Sequence, residues 1–303
     1  MRRLLKRKEY QILVDTKSKE KLAIARVALF QNKNENNKNI CAFSGGKDSV
    51  VTYMMCVKSG IKFTPIYSLT SVDPPEVYNY IVKVFNPWAV SKGYPKVIIN
   101  KYNKFTEKRA KGRMTGREIT MSTLLSNRAI PPTRLNRYCC DELKERTGDK
   151  GDTVFTGVRW LESRKRSEHK MVNFWKNKIM VRPIVDWTEE EVWSYILQNS
   201  IPYCELYDKG WDRVGCIGCP LGKNQKKELE AYPKYKEMYI RSFDRMIEYR
   251  KLIYLEKDEE VHGDWKTGLD IYNWWTSGGR RKYELENKDN QISMFDDEQC
   301  SLF

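Results

Sequence analysis

Around Gly45 and Gly46 the chain passes from strand-like to helix-like sequence within a few residues, and few folds accommodate that change. Ile40-Cys41-Ala42-Phe43 is a short apolar run with strand character. Ser44-Gly45-Gly46 can turn tightly, and from Lys47 to Ser59 the residues Val50, Val51, Met54, Met55 and Val57 fall on or near one helical face until Gly60 stops the pattern. Further strand candidates lie at 62–67, 96–99, 153–156 and 178–181, each separated from the next by helical or loop sequence. This alternation predicts an α/β fold: a mostly parallel sheet with helices on both faces.

The flanking sequence divides by composition. Residues 1–38 read as a basic arm containing a helix, with Leu22, Ile24, Ala25, Val27, Ala28 and Leu29 on its apolar side. Residues 39–222 hold the α/β pattern and most of the cysteines, 223–286 read as a helical C-terminal region broken near Pro233, and 287–303 as a flexible polar tail. Inside the central region, 101–117 is polar and basic with two glycines, the composition of a loop over a site. Thr188 and Glu191 make a capping box ahead of a helix whose buried side is Val192, Trp193, Ile196 and Leu197.

Among the 303 residues, 55 Lys and Arg stand against 40 Asp and Glu, a formal net charge of +15. The resulting field attracts polyanions without choosing between nucleic acid and a nucleotide, and a solvated lysine-rich surface would carry the same charge. No run approaches the roughly 18 apolar residues that a membrane span needs, so no membrane association is expected. The first ten residues lack the apolar core of a secretory signal, which predicts a cytoplasmic location.

Two features carry chemistry. In Ser44-Gly45-Gly46-Lys47-Asp48-Ser49 the glycines let the backbone approach phosphate oxygens, the new helix presents free N–H groups and the positive end of its dipole, and Lys47 adds charge. The Gly-to-Lys spacing is shorter than in a Walker loop. The eight cysteines, in a chain read as intracellular, are expected to be reduced. Cys139-Cys140 and Cys216-Ile217-Gly218-Cys219 offer four thiolates for an iron-sulfur cluster or zinc, and adjacent cysteines fit poorly with an ordinary zinc ribbon. Cys204 could replace Cys139 as fourth ligand, whereas Cys41 and Cys56 read as buried apolar residues.

The segment 44–49 resembles the PP-loop motif SGGxDS of the adenine nucleotide alpha hydrolase-like superfamily. That group includes phosphoadenosine phosphosulfate (PAPS) reductases, small-subunit ATP sulfurylases, tRNA-thiolating enzymes and the DndC-like DNA phosphorothioation proteins. The resemblance implies that Ser44, Gly45, Gly46, Lys47, Asp48 and Ser49 hold the pyrophosphate of ATP, with magnesium as a companion ion, or the anionic groups of PAPS. Thr156 to Arg166 looks like the family segment TGxRxxxSxxR, which implies phosphate or sulfate contacts from Gly157, Arg159, Arg164 and Arg166. The stretch 182–203 is similar to the reductase sequence PLxxWTxxDVWxYIxxxxIPY and reads as structural. Tyr138-Cys139-Cys140 and Gly215-Cys216-Ile217-Gly218-Cys219-Pro220 match the layout by which adenylyl-sulfate reductases hold a 4Fe-4S cluster. That match implies such a cluster on Cys139, Cys140, Cys216 and Cys219, with zinc as the alternative.

Two departures stand out. Where the reductases have Leu-Asp-Thr-Gly, residues 68–76 read Ser-Leu-Thr-Ser-Val-Asp-Pro-Pro-Glu, so Asp73 is either the nucleotide contact or the cap of a helix beginning at Pro74. Where the reductases carry Glu-Cys-Gly-Leu-His, this chain has Glu298-Gln299-Cys300-Ser301-Leu302-Phe303, which makes Cys300 a candidate nucleophile. The segments 291–295 and 299–303 also resemble the QLSLF-type peptides that dock on a sliding clamp.

Together these readings imply an enzyme of sulfur metabolism, with Lys47, Asp48, Arg159 and Cys300 as catalytic candidates. It would either reduce an adenylyl sulfate with a thiol reductant or use ATP and a sulfur-donor protein to transfer sulfur, with nucleic acid as one acceptor. The alternative is a non-enzymatic iron-sulfur module that binds nucleotide or nucleic acid and docks on a sliding clamp. His169 and His262 belong to no triad and take no role beyond surface or phosphate contact.

Overall fold

The computed structural model describes residues 15–101, 119–256 and 265–278. The first fourteen residues of the basic arm, almost all of the 101–117 loop, His262, and the tail with Cys300 and both clamp-like peptides lie outside the described residues.

Six strands form one sheet in the order β3-β2-β1-β4-β6-β5. They are β1 (Asn39–Ala42), β2 (Thr64–Ser68), β3 (Ile98–Asn100), β4 (Thr153–Phe155), β5 (Val172–Trp175) and β6 (Lys178–Val181). All neighbouring pairs are parallel except β5 with β6, where Phe174 faces Ile179. The mostly parallel sheet is as expected, and each expected strand is present within two residues of its predicted start. Strand β5 was not anticipated. It lies on an edge with Phe174 and Trp175 exposed, so it lacks the alternating burial that marks a strand in sequence. Its hairpin turns on Lys176 and Asn177, both at positive φ (50° and 61°), the conformation that two-residue hairpin loops favour.

The helices, in chain order, are α1 (Lys17–Leu29), α2 (Lys47–Lys58), α3 (Pro75–Asn79), α4 (Asn86–Ser91), α5 (Met121–Leu125), α6 (Tyr138–Leu143), α7 (Arg164–Ser167), α8 (Glu189–Gln198), α9 (Gln225–Ala231), α10 (Pro233–Glu256) and α11 (Gly268–Thr276). A π-helical stretch, Tyr80–Phe85, joins α3 to α4. The connection from β1 to β2 runs one way along the sheet and that from β3 to β4 runs back. Right-handed crossovers therefore assign their helices to opposite faces.

Helix α2 is buried nearly all round, from Lys47 to Cys56, because it follows β1 on one side and packs against α1 and α8 on the other. The α1 contact is pinned by charge. Arg26 forks onto both oxygens of Asp186 at 2.7 and 3.0 Å, and Lys19 reaches Glu191 at 2.7 Å. Phe43, Tyr53 and Phe85 pack together in the core with centroids 4.6–5.9 Å apart, Tyr53 edge-on to the other two. The capping box of α8 forms as predicted: Glu191 N–H donates to Thr188 Oγ1 at 3.2 Å and Thr188 N–H to Glu191 Oε2 at 2.7 Å.

The chain divides into two compact units, one made of residues up to 121 together with 139–216, the other of 122–138 with residues from 217 onward. The first contains the whole sheet. In the second, α10 and α11 enclose Trp275, whose ring lies 4.8 Å from Tyr239 and 5.4 Å from Phe243 and whose indole N–H donates to Pro132 O at 2.7 Å. The predicted break at Pro233 separates α9 from α10. Among the described residues no helix is long and apolar enough to cross a membrane.

Candidate nucleotide-binding site

Strand β1 pairs with β2 on one side and β4 on the other, and the chain leaves these neighbours in opposite directions. Such a reversal opens a crevice beyond the carboxyl ends of the two strands. The loop 44–49 leaves β1 there and 156–159 leaves β4 there.

The geometry of the loop explains its residues. Gly45 sits at φ +76°, and a Cβ on it would stand 2.9 Å from Val77 Cγ1. Ser44 N–H donates to Ser49 Oγ at 3.1 Å, and the Ser49 hydroxyl donates to Gly46 O at 2.7 Å, which closes the turn on itself. Gly46 then caps α2 in an extended conformation. Lys47 N–H, one of the helix's free donors, is satisfied by the Tyr207 hydroxyl at 3.0 Å. The Lys47 side chain is buried, its ammonium 3.6 Å from Asp48 Oδ2, 3.7 Å from Glu189 Oε1 and 5.6 Å above the Tyr207 ring.

Two of these partners escaped the sequence reading. Tyr207 lies just beyond the stretch 182–203 read as structural, and nothing local marks its hydroxyl as a helix cap. Burial first, and then the charge of Asp48, push its phenol up, so it stays neutral at physiological pH. Glu189 opens α8 just after Thr188, and only its place beside the capping box could have flagged it.

The second predicted segment meets the first. A Cβ on Gly157 would stand 2.7 Å from both the carbonyl carbon and oxygen of Asp48, so only glycine fits where the chain leaving β4 crosses the first turn of α2. Arg159, almost wholly buried, donates from Nε to Asp48 Oδ1 at 2.5 Å and from Nη1 to Trp187 O at 3.1 Å. Sequence reasoning made Arg159 a phosphate ligand and catalytic candidate; these bonds direct it to positioning Asp48. Arg166 pairs with Glu162, and its N–H donates to Ser163 Oγ at 3.3 Å. Arg164 is exposed.

Asp73 does not cap α3, whose cap is Pro74. It turns back instead, accepting from Thr70 N–H at 2.9 Å and Thr70 Oγ1 at 2.8 Å, in a turn where Ser71 adopts φ 66°. Cys216 Sγ lies 3.4 Å from Thr70 Oγ1 and 3.9 Å from Asp73 Oδ1. The Lys144 ammonium interacts with Cys216, Asp73 and Cys140. Their negative charge, Cys216 foremost, holds it above the ordinary lysine range against the opposing effect of burial.

Cys139, Cys140, Cys216 and Cys219 are all half-buried, and Cys219 falls in the second unit. As a donor set they suit an iron-sulfur cluster or zinc, but as placed, no three Cys, His, Asp or Glu side chains among the described residues form a metal-binding group. Cys204 is a core residue, fully buried, its thiol pushed up to about 11 by burial. Cys41 and Cys56 are buried as expected.

Comparison with known proteins adds to this geometry. The sequence model of the phosphoadenosine phosphosulfate reductase domain matches residues 38–222. An uncharacterized protein of Methanocaldococcus jannaschii is 27% identical over 263 residues, 84% of this chain and 57% of that one. The adenosine 5'-phosphosulfate reductase of Staphylococcus epidermidis is 41% identical over 66 residues, 21% of this chain and 27% of the enzyme. The chain thus spans little more than half of the first relative and about a quarter of the second. The phosphate complex of the phosphoadenylyl-sulfate reductase from Candida auris superposes with a TM-score of 0.41 at 20% identity, covering 68% of this chain and 97% of that one.

Proposed function

This chain belongs to the phosphoadenosine phosphosulfate reductase domain family, and from that premise we propose that it is an adenine nucleotide-dependent enzyme of sulfur metabolism whose favoured chemistry is ATP-dependent sulfur transfer. The observation that carries the reading is the meeting of two loops at one crevice: the Gly45-Gly46 turn ahead of α2, and Gly157 pressed against Asp48 from β4.

In this reading the amino end of α2 and the Lys47 ammonium hold the pyrophosphate of ATP, taken as its magnesium complex. Gly45 and Gly46 keep side chains out of the phosphates' path. Arg159 fixes Asp48, and Tyr207 fixes the first turn of α2 from the other side. An acceptor oxygen attacks the α-phosphorus, the bond to pyrophosphate breaks, and a sulfur nucleophile then displaces AMP. The four thiols Cys139, Cys140, Cys216 and Cys219 are the proposed ligands of a 4Fe-4S cluster, with zinc as the alternative. Bound there, a cluster would supply a redox-active inorganic sulfur centre.

Transfer is favoured over reduction by the turn after β2, where Asp73 is engaged by Thr70 in place of the reductases' Leu-Asp-Thr-Gly. Reduction of an adenylyl sulfate is the second reading, favoured by the similarity to adenosine 5'-phosphosulfate reductases. Incubating anaerobically purified protein with magnesium ATP, and separately with PAPS and a dithiol, distinguishes the two. Pyrophosphate release supports transfer and sulfite release supports reduction. The absence of both from protein shown to bind nucleotide leaves a binding module and overturns the enzyme reading.

A further inference from the structure

Glu189 faces the ammonium that is proposed to hold the phosphates. Its Oε1 lies 3.7 Å from Lys47 Nζ, and Asp48 Oδ2 lies 3.6 Å from the same nitrogen. The two carboxylates differ in their surroundings. Asp48 is held through its other oxygen by Arg159 and its side chain is 21% exposed, whereas the Glu189 side chain is 55% exposed and reaches water beside an almost buried ammonium. All four residues lie in the unit that contains the sheet.

Helix α8 does not need this carboxylate. Acidic side chains in a first turn are favoured by the helix dipole wherever they point, and Glu190 and Glu191 supply that charge already, Glu191 through the capping box and its bond with Lys19. Around the glycine loop, by contrast, Glu189 changes the balance. Lys47 and Arg159 stand against Asp48 and Glu189, so these four side chains carry no net charge, and an anion is drawn chiefly by the amino end of α2. Without Glu189 the same group would be cationic.

We propose that Glu189 is a selectivity residue that makes the site take ATP as its metal complex: the carboxylate repels uncomplexed polyphosphate at Lys47 and attracts the divalent cation of a complexed one. Magnesium is held through one or two carboxylates together with phosphate oxygens, so a cation arriving on the polyphosphate turns the repulsion into attraction. An adenylyl sulfate lacks the run of adjacent phosphates that chelates such a cation. Glu189 therefore also disfavours the substrate of the reduction reading. The inference rests on the ATP reading above and names the residue that enforces it.

The test uses the full chain and calorimetric titration at matched ionic strength with ATP and excess magnesium, with ATP and a chelator, and with PAPS. The wild-type protein is expected to bind magnesium ATP at least roughly tenfold more tightly than metal-free ATP. Glu189→Gln keeps the shape and removes the charge. It is expected to narrow that preference to about threefold or less, chiefly by tightening the binding of metal-free ATP and PAPS, with the unfolding temperature of the nucleotide-free protein unchanged. Glu190→Gln, one position along the same helix, is the control and should behave as wild type. The same metal dependence in wild type and Glu189→Gln, or the same narrowing in Glu190→Gln, overturns the assignment and leaves the ATP reading standing. Failure of the wild-type protein to bind ATP in either form overturns the ATP reading and this assignment with it, whereas metal-selective binding without pyrophosphate release overturns the transfer chemistry alone and supports the assignment.

Discussion

Arg159 Nε donates to Asp48 Oδ1 at 2.5 Å, which makes the loop leaving β4 the clamp on the first turn of α2. Arg159 is buried and Asp48 partly exposed, so removing the guanidinium strands a carboxylate and leaves Trp187 O without this donor. Arg159→Ala is expected to lower unfolding free energy by about 2–3 kcal/mol, below the full cost of breaking a buried pair because water reaches Asp48. Chemical denaturation measures it. A loss within about 0.5 kcal/mol, the level of an ordinary surface substitution, would show that the clamp does not hold.

At Gly157 an added methyl would meet backbone, which cannot rotate away. Gly157→Ala is expected to cost about 1–3 kcal/mol and to weaken ATP binding because α2 must shift. Gly60→Ala is the control. Gly60 also has positive φ (+71°) but opens onto free space, so its variant should be strained by about 1–2 kcal/mol with ATP affinity unchanged in calorimetry.

Among the described residues the Lys47 ammonium makes only long ion pairs, 3.6 and 3.7 Å, while its stem is packed. Lys47→Met keeps the packing and removes the charge. The expected result is an unfolding temperature close to wild type without nucleotide and loss of most of the upward shift that ATP produces in the wild type. An undiminished shift would place the phosphates elsewhere.

Thiol accessibility separates the two kinds of cysteine. At pH 8 a thiol with a pKa of about 11 is thiolate in about one part in a thousand, so Cys204, with buried Cys41 and Cys56, should resist iodoacetamide in the native protein. Cys139, Cys140, Cys216 and Cys219 should be alkylated in metal-free protein, as mapped by mass spectrometry. Reconstitution with iron and sulfide should protect them and raise absorbance at about 400 nm. Unchanged labelling after reconstitution would remove the cluster from the account.

Burial pushes the Asp186 carboxyl up, but the hydrogen bonds and charge of Arg26, helped by Lys19, outweigh it and hold the group below its ordinary value. A depressed carboxyl stabilises the fold fully above the unfolded value of about 3.9 and loses that contribution as pH falls through the folded value. Asp186→Asn is therefore expected to cost about 1–2 kcal/mol at pH 7 and to flatten the acid side of the stability profile. Unfolding midpoints between pH 7 and pH 3 check this, and parallel profiles for the two proteins would refute it.

Features whose partners lie within a few residues were legible from the chain. The Ser44–Ser49 turn, the Thr188–Glu191 capping box and the break at Pro233 depend on bonds or φ angles set by near neighbours, and the strands of the parallel sheet showed in apolar runs. For Asp73 the sequence left nucleotide contact and helix cap both open, because a carboxylate beside prolines can bond forward or backward, and here Thr70 supplies two donors behind it. Strand β5 was missed because a half-exposed edge leaves no burial pattern to read.

By itself the sequence determined that a glycine turn joins a strand to a helix, and that a second glycine-arginine segment and two cysteine pairs lie further along the chain. Tertiary structure decided who faces whom: Arg159 bonds Asp48 from 111 positions away, and Tyr207 caps Lys47 from 160. A local hydrogen bond needs only the right neighbours. A distant one needs the strand order of the whole sheet, and that order is chosen by burying every apolar face at once, which no short stretch of chain encodes.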